Sequence, residues 1–217
     1  MPVMVTLLGD LIDSRLAPDR KGLHDTVSAA LATVSREVPA HRPAAITAGD
    51  EFQGVYEHLG DALRSVLVIR SLLEPEVRVR FGVGRGEVTV LDEAQNTQDG
   101  PGWWAARAAI EVVEASEDET GWSALRTAYR EDPSSHDERR GNEAVQDAVN
   151  AALVCQDLLL HSYDARSWSI LRGLMADRTQ TQIAESLGIT RQAVQQRRSS
   201  AGMPMLVSAA AHLARLP

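Results

Sequence analysis

Ala44-Ala45-Ile46-Thr47-Ala48-Gly49-Asp50-Glu51-Phe52-Gln53-Gly54-Val55-Tyr56 decides how the first half of this chain is read. Two short, largely apolar stretches flank a glycine and two adjacent carboxylates, the pattern of a hairpin whose turn presents Asp50 and Glu51. Glycine at position 49 suits a turn that needs positive φ. Upstream, residues 3–9 read as a strand running straight into Asp10. If the two strands are neighbours, Asp10, Asp50 and Glu51 meet at one edge of a sheet, as hard oxygen ligands suited to Mg or Mn.

Working outward, residues 21–38 carry Leu23, Val27, Ala30, Leu31, Val34 and Val38 at helical spacing, and residues 59–73 show a wider apolar face. Val77-Arg78-Val79-Arg80-Phe81-Gly82-Val83 alternates as a half-buried strand. Residues 87–91 continue it beyond a glycine-rich irregularity, and helix returns near Gly102. Strand, helix, hairpin, helix, strand, helix predicts an α+β fold whose helices cover one face of a mainly antiparallel sheet. Residues 131–142, polar and charged, predict a linker between a domain over 1–130 and a helical one over 143–217, with a connecting helix at 143–161.

With 217 residues and 44% hydrophobic content, the chain is long enough for one such domain and a smaller companion. The start lacks the basic and apolar segments of a signal peptide, and no apolar run approaches a membrane span, so the expectation is a cytoplasmic protein without a membrane partner. A single cysteine, Cys155, rules out disulfides within the chain and is expected in the core. The net charge of −8 hides an uneven distribution: residues 163–217 hold seven arginines against three acidic residues, about +4, leaving about −12 for the rest. An acidic body thus precedes a tail with the local positive charge that phosphates require.

Within that tail, residues 180–198 predict a short helix, a glycine turn at Gly188 and a second helix: a helix-turn-helix. Ala184 is small where the helices meet, Ile189 and Val194 fill the space beneath the second helix, and Thr190 is placed to cap it. The predicted exposed, DNA-contacting set is Thr190, Arg191, Gln192, Gln195, Gln196, Arg197 and Arg198. Its amides and guanidiniums suit adenine and guanine edges in the major groove. Symmetric operators favour a homodimer, and residues 208–216 predict one further helix for packing or pairing.

Gly49-Asp50-Glu51-Phe52 resembles the signature turn of diguanylate cyclases (GGDEF domains), and Phe81-Gly82-Val83-Gly84-Arg85-Gly86-Glu87-Val88 looks like the glycine strand of class III nucleotide cyclases. That resemblance implies a ferredoxin-like, cyclase-type palm followed by a small all-α helix-turn-helix domain. It also implies Asp10, Asp50 and Glu51 as metal ligands and Gly49 as a nucleotide contact; Asp13-Ser14-Arg15 either caps the following segment or brings Arg15 to a phosphate. Arg107 would bind phosphate and stabilise the transition state, and the ligand would be a nucleoside triphosphate or cyclic nucleotide. Trp103 stands where those cyclases have an Asn, and Ile46 where they have a base-reading lysine. Over nearly its whole length, including Gly9-Asp10-Leu11-Ile12-Asp13-Ser14-Arg15, Gly49-Asp50-Glu51-Phe52-Gln53-Gly54 and the helix-turn-helix, the chain is similar to the bacterial SatD family.

Histidines at 24, 41, 58, 136, 161 and 212 show no helical metal-ligand spacing, and no Gly-x-Ser-x-Gly turn occurs, so neither a zinc nor a serine hydrolase is expected. The Gly82-x-Gly84-x-Gly86 spacing is not a dinucleotide fingerprint. The preferred reading is a DNA-binding regulatory protein whose palm binds a nucleotide with divalent metal. Two others stay open: a metal-dependent nucleotidyl cyclase or nucleotidyltransferase localised by its helix-turn-helix, and a DNA-binding protein whose degenerate palm is a dimerisation scaffold.

Overall fold

The computed structural model describes residues 2–92, 97–132 and 139–217. In chain order it contains β1 (Val3–Leu11), a 3-10 turn (Ser14–Leu16), α1 (Arg20–Glu37), β2 (Arg42–Ala48), β3 (Glu51–Tyr56), α2 (Leu59–Leu73), β4 (Val79–Glu87), β5 (Thr89–Asp92), β6 (Thr97–Asp99), α3 (Pro101–Ser116) and β7 (Thr127–Glu131). Helices follow: α4 (Arg139–His161), α5 (Ala165–Met175), α6 (Gln180–Leu187), α7 (Arg191–Ser200) and α8 (Met203–Leu213). The architecture is mixed α+β. Five strands form one sheet in the order β2-β3-β1-β4-β7, with β1 antiparallel to both β3 and β4. The crossover through α3 makes β7 parallel to β4.

Helices cover both faces of the sheet, not one as expected. Odd-numbered side chains of the central strands, Val5, Leu7, Val79, Phe81 and Val83, join the core built with α1 and α2. Even-numbered Met4 and Leu8 pack with Val55, Trp103, Ala106 and Ile110 beneath α3. The alternation that suggested a half-buried strand has a different cause in β4. Where a strand facing solvent carries polar residues, β4 carries Gly82, Gly84 and Gly86, and the backbone of α3 lies directly on them. A Cβ on Gly84 would stand 2.2 Å from the amide nitrogen of Ala106, and one on Gly82 2.2 Å from the carbonyl oxygen of the same residue. The glycines are therefore a seat for a helix rather than an irregularity, and β4 runs unbroken to Glu87. Residues 89–92 do not extend it; they pair with β6 in a separate two-stranded sheet.

The helical C-terminal part is packed on the sheet body. Helix α4 places Val149 and Leu153 in the core shared with α1 and α2, while Asn150 exchanges hydrogen bonds with the backbone of Tyr129 on β7. Residues 133–138 of the expected linker lie outside the described residues. Trp168, Ile170, Leu171, Ile183, Val194, Met203 and Leu206 form a second core among α5 to α8. At the far end, the carbonyls of Leu216 and Pro217 accept from the amides of Gly60 and Leu59 at 3.1 and 3.2 Å. They satisfy donors that the first turn of α2 leaves open. Cys155, expected in the core, is exposed on α4.

Candidate functional site

The carboxylates of the sequence pattern do converge. Antiparallel pairing of β1 with β3 sets Asp10 directly opposite Glu51, and the amide of Leu11 donates to the carbonyl of Asp50 at 3.2 Å. Gly49 takes φ of 64° and turns the β2–β3 hairpin, leaving Asp50 at the end of the strand pair. Asp10, Asp50, Glu51, Arg15 and Arg107 all line one open cleft of about 490 Å³, together with Asp13, Ser14, Arg80, Ile110 and Glu114. Gly49 does not line it; with Ile46 it borders a small adjoining pocket beside α1.

Each of the three carboxylates has a partner of its own. Arg80 donates to Asp10 at 2.6 Å and, through its other nitrogens, to Glu117 at 3.0 and 2.7 Å. Ser14 donates its hydroxyl to Asp50. Arg107 donates to both oxygens of Glu51 at 3.3 and 3.2 Å. Arg15 sits exposed on the 3-10 turn and has no hydrogen-bond or ion-pair partner among the described residues. Burial raises the pKa of Asp10 against the opposing pull of Arg80, and repulsion from Asp50 and Glu51 adds to the rise. The hydrogen bonds of Glu117 and then Asp10 hold Arg80 firmly protonated, and Glu51 does the same for Arg107.

Sequence reading missed Ser14 as a ligand-orienting group and missed Arg80, Glu114 and Glu117 altogether. Arg80 carried a signal: it lies in the alternating strand two residues before Gly82, hence on the face that bears Asp10. Only the β1–β4 register, which pairs Asp10 with Arg80, turns that parity into a contact. Among the described residues, no three His, Cys, Asp or Glu side chains are gathered as a metal-binding group. The oxygen donors on hand, Asp10, Asp50 and Glu51, are those a hard divalent cation would take.

The SatD family model matches residues 4–214, which covers both the sheet body and the C-terminal helices. The chain belongs to the SatD family. No curated protein matches it. Among the described residues of this SatD family member, no helix is long and apolar enough to cross a membrane.

The second candidate region of the SatD chain is the α6–α7 pair. Thr179 and Gln182 form a reciprocal capping box at the start of α6. Gly188, with φ of 63°, ends that helix, and Thr190 caps α7 by accepting from the amide of Ala193 at 3.1 Å. Ile183, Ala184 and Val194 are buried against α5 and α8. Thr190, Arg191, Gln192, Gln195 and Gln196 are exposed. Arg197 and Arg198, expected with them, are half-buried. They follow Val194 by three and four residues and so share its inward face. Arg197 turns back toward Asp164 at 3.3 Å, and the Nε of Arg198 is buried without a partner.

Proposed function

We propose that this protein is a DNA-binding regulator whose N-terminal domain is a cyclase-like palm that holds a nucleotide together with divalent Mg or Mn. The ligand is a nucleoside triphosphate or a cyclic nucleotide. The observation that carries the reading is the convergence of Asp10, Asp50 and Glu51 in one cleft that also contains Arg15 and Arg107. Support comes as well from the strand order β2-β3-β1-β4, with α1 and α2 as connections, because it is the βαββαβ order of a ferredoxin-like palm. Asp10, Asp50 and Glu51 would hold the cation, which supplies charge neutralisation at the phosphates. Ser14 and Arg80 keep the two aspartates oriented, while Arg15 and Arg107 receive phosphate oxygens.

At the other end, α6 and α7 form a helix-turn-helix whose exposed Arg191, Gln192, Gln195 and Gln196 enter the major groove, with the protein acting in the cytoplasm as a homodimer on a two-fold operator. The two ends are joined through packed helices, so nucleotide state can bias DNA affinity if the ligand prefers one arrangement of that junction. Arg107 favours one further reading, a metal-dependent nucleotidyl cyclase or nucleotidyltransferase. A guanidinium on the helix beside the carboxylates would stabilise charge on a reacting phosphate.

Thermal melting of the full chain with each nucleoside triphosphate and Mn tests the proposal. At least one nucleotide is expected to raise Tm in wild type and none in Asp50→Asn. Chromatography of labelled nucleotides after incubation separates a binder from an enzyme. No Tm shift with any nucleotide or cyclic nucleotide would leave the palm as a scaffold.

A further inference from the structure

We infer that the Glu51–Arg107 ion pair is a gate that polyphosphate must open, and that a divalent cation opens it by taking Glu51. The cleft then accepts a cation-bound polyphosphate and rejects the free anion. This inference rests on the reading of the same cleft as a metal–nucleotide site.

The pair spans the cleft from the first residue of β3 to the middle of α3. Both oxygens of Glu51 are engaged by two nitrogens of Arg107, so the fork that would grip phosphate is already occupied. Arg80 is occupied too, by Asp10 and Glu117. The two pairs differ in how easily they exchange. Arg80 is 15% exposed and held by two carboxylates, whereas Glu51 and Arg107 are 41% and 48% exposed and held only by each other. A solvated pair of that kind is weak and readily swaps partners.

Charge sets the order of events. The cleft is lined by five carboxylates, Asp10, Asp13, Asp50, Glu51 and Glu114, and three arginines, Arg15, Arg80 and Arg107, so its formal charge is −2. A free polyphosphate approaching that surface is repelled and finds Arg15 alone unpaired. A divalent cation that drew Asp10, Asp50 and Glu51 together would bring the sum to zero and take Glu51 from Arg107 in the same step. The released guanidinium then meets a phosphate oxygen.

Isothermal titration of the full chain with inorganic tripolyphosphate, in chelator and with Mn, tests the exchange. Wild type is expected to bind at least about tenfold more tightly with Mn. Glu51→Gln leaves Arg107 unpaired and is expected to gain about fivefold or more in chelator, with a smaller benefit from Mn. Glu114→Gln removes the same charge from the same cleft, about two turns along α3, without freeing Arg107; its gain in chelator is expected to be less than half that of Glu51→Gln, and its benefit from Mn is expected to stay as in wild type. Equal gains in the two variants would mean that net charge alone matters, and the gate falls. It falls equally if wild type binds as well in chelator as with Mn, or if neither wild type nor Glu51→Gln binds tripolyphosphate at all. Because tripolyphosphate has no base, a Mn-dependent isotherm combined with silence from every nucleotide would remove the nucleotide reading and leave the gate standing.

Discussion

Arg70 on α2 donates to Asp157 on α4 inside the protein, where both side chains are only 1% exposed. The same carboxylate accepts the amides of Arg126 and Thr127 at 2.7 and 2.8 Å, at the entry to β7. Glu74 takes the Nε of Arg70 at 2.7 Å, and the guanidinium lies 5.6 Å from the ring centre of Trp168 on α5. Burial works against the charge on Arg70, yet Asp157 and Glu74 outweigh it and raise its pKa. One ionic knot therefore joins the sheet body to the helices that carry α6 and α7.

Breaking that knot from one side leaves an uncompensated buried charge. Arg70→Met is expected to cost about 3–5 kcal/mol in urea unfolding. It is also expected to loosen α5 against α2, seen as faster amide exchange at Trp168 and Ile170 than in α1. A loss below about 1 kcal/mol would show that the network contributes little to cohesion.

Gly84→Ala tests the seat of α3. Its new methyl would collide with the amide nitrogen of Ala106 and, at 2.3 Å, with the carbonyl of Gly102, both of them backbone atoms that cannot rotate away. Overpacking of this kind costs about 1–3 kcal/mol, and the main-chain contacts favour the upper end. Because α3 carries Arg107, the variant should also weaken Mn-dependent tripolyphosphate binding. Normal stability in chemical denaturation would contradict the close approach of β4 and α3.

Stability should depend on Asp10 in a pH-dependent way. Its raised pKa means the folded state holds this proton more tightly than the unfolded chain does. The advantage is present below the ordinary value near 3.8 and is lost as pH climbs through the folded value, leaving a penalty at neutral pH. Asp10→Asn, uncharged throughout, is expected to melt higher than wild type at pH 7 in chelator, with the gap narrowing toward pH 4, and to lose the Mn response. Melting curves across that range check both parts. A lower Tm for Asp10→Asn at pH 7 would mean that the bond to Arg80 outweighs burial.

For DNA, Arg191→Ala and Gln195→Ala are each expected to lose about 1–3 kcal/mol of affinity for a selected operator, with smaller losses on random duplex. Arg197→Ala is expected to lose less, since that guanidinium is already engaged by Asp164 at 3.3 Å. Fluorescence anisotropy with both duplexes separates these effects. Equal losses on the two duplexes would assign Arg191 and Gln195 to phosphate rather than to bases.

Much of the secondary structure could be read from periodicity because local rules govern it. The 59–73 helix ends where Glu74-Pro75 stops it, and Gly188 and Thr190 delimit α6 and α7 through backbone conformation and capping, which depend on a few adjacent residues. The meeting of Asp10 with the hairpin turn was also legible, since two strands ending in carboxylates leave few ways to pair. Cys155 misled because an apolar neighbourhood in sequence does not say which side of a helix faces inward. Arg197 and Arg198, expected to be exposed, are half-buried because they follow Val194 by three and four residues.

Residue chemistry by itself determined the turn at Gly49, the carboxylates beside it, the glycine strand and the capped helix pair. Those follow from short-range sterics and hydrogen bonding that each segment carries wherever it lies. The tertiary structure decided which charges meet: Asp10 with Arg80, Ser14 with Asp50, Arg107 with Glu51 and Arg70 with Asp157, four contacts separated by 36 to 87 positions in the chain. Strand register, the seating of α3 on glycine and the docking of α4 on the core create them, and all three are set by burial on two faces of one sheet, a cooperative property of the whole chain.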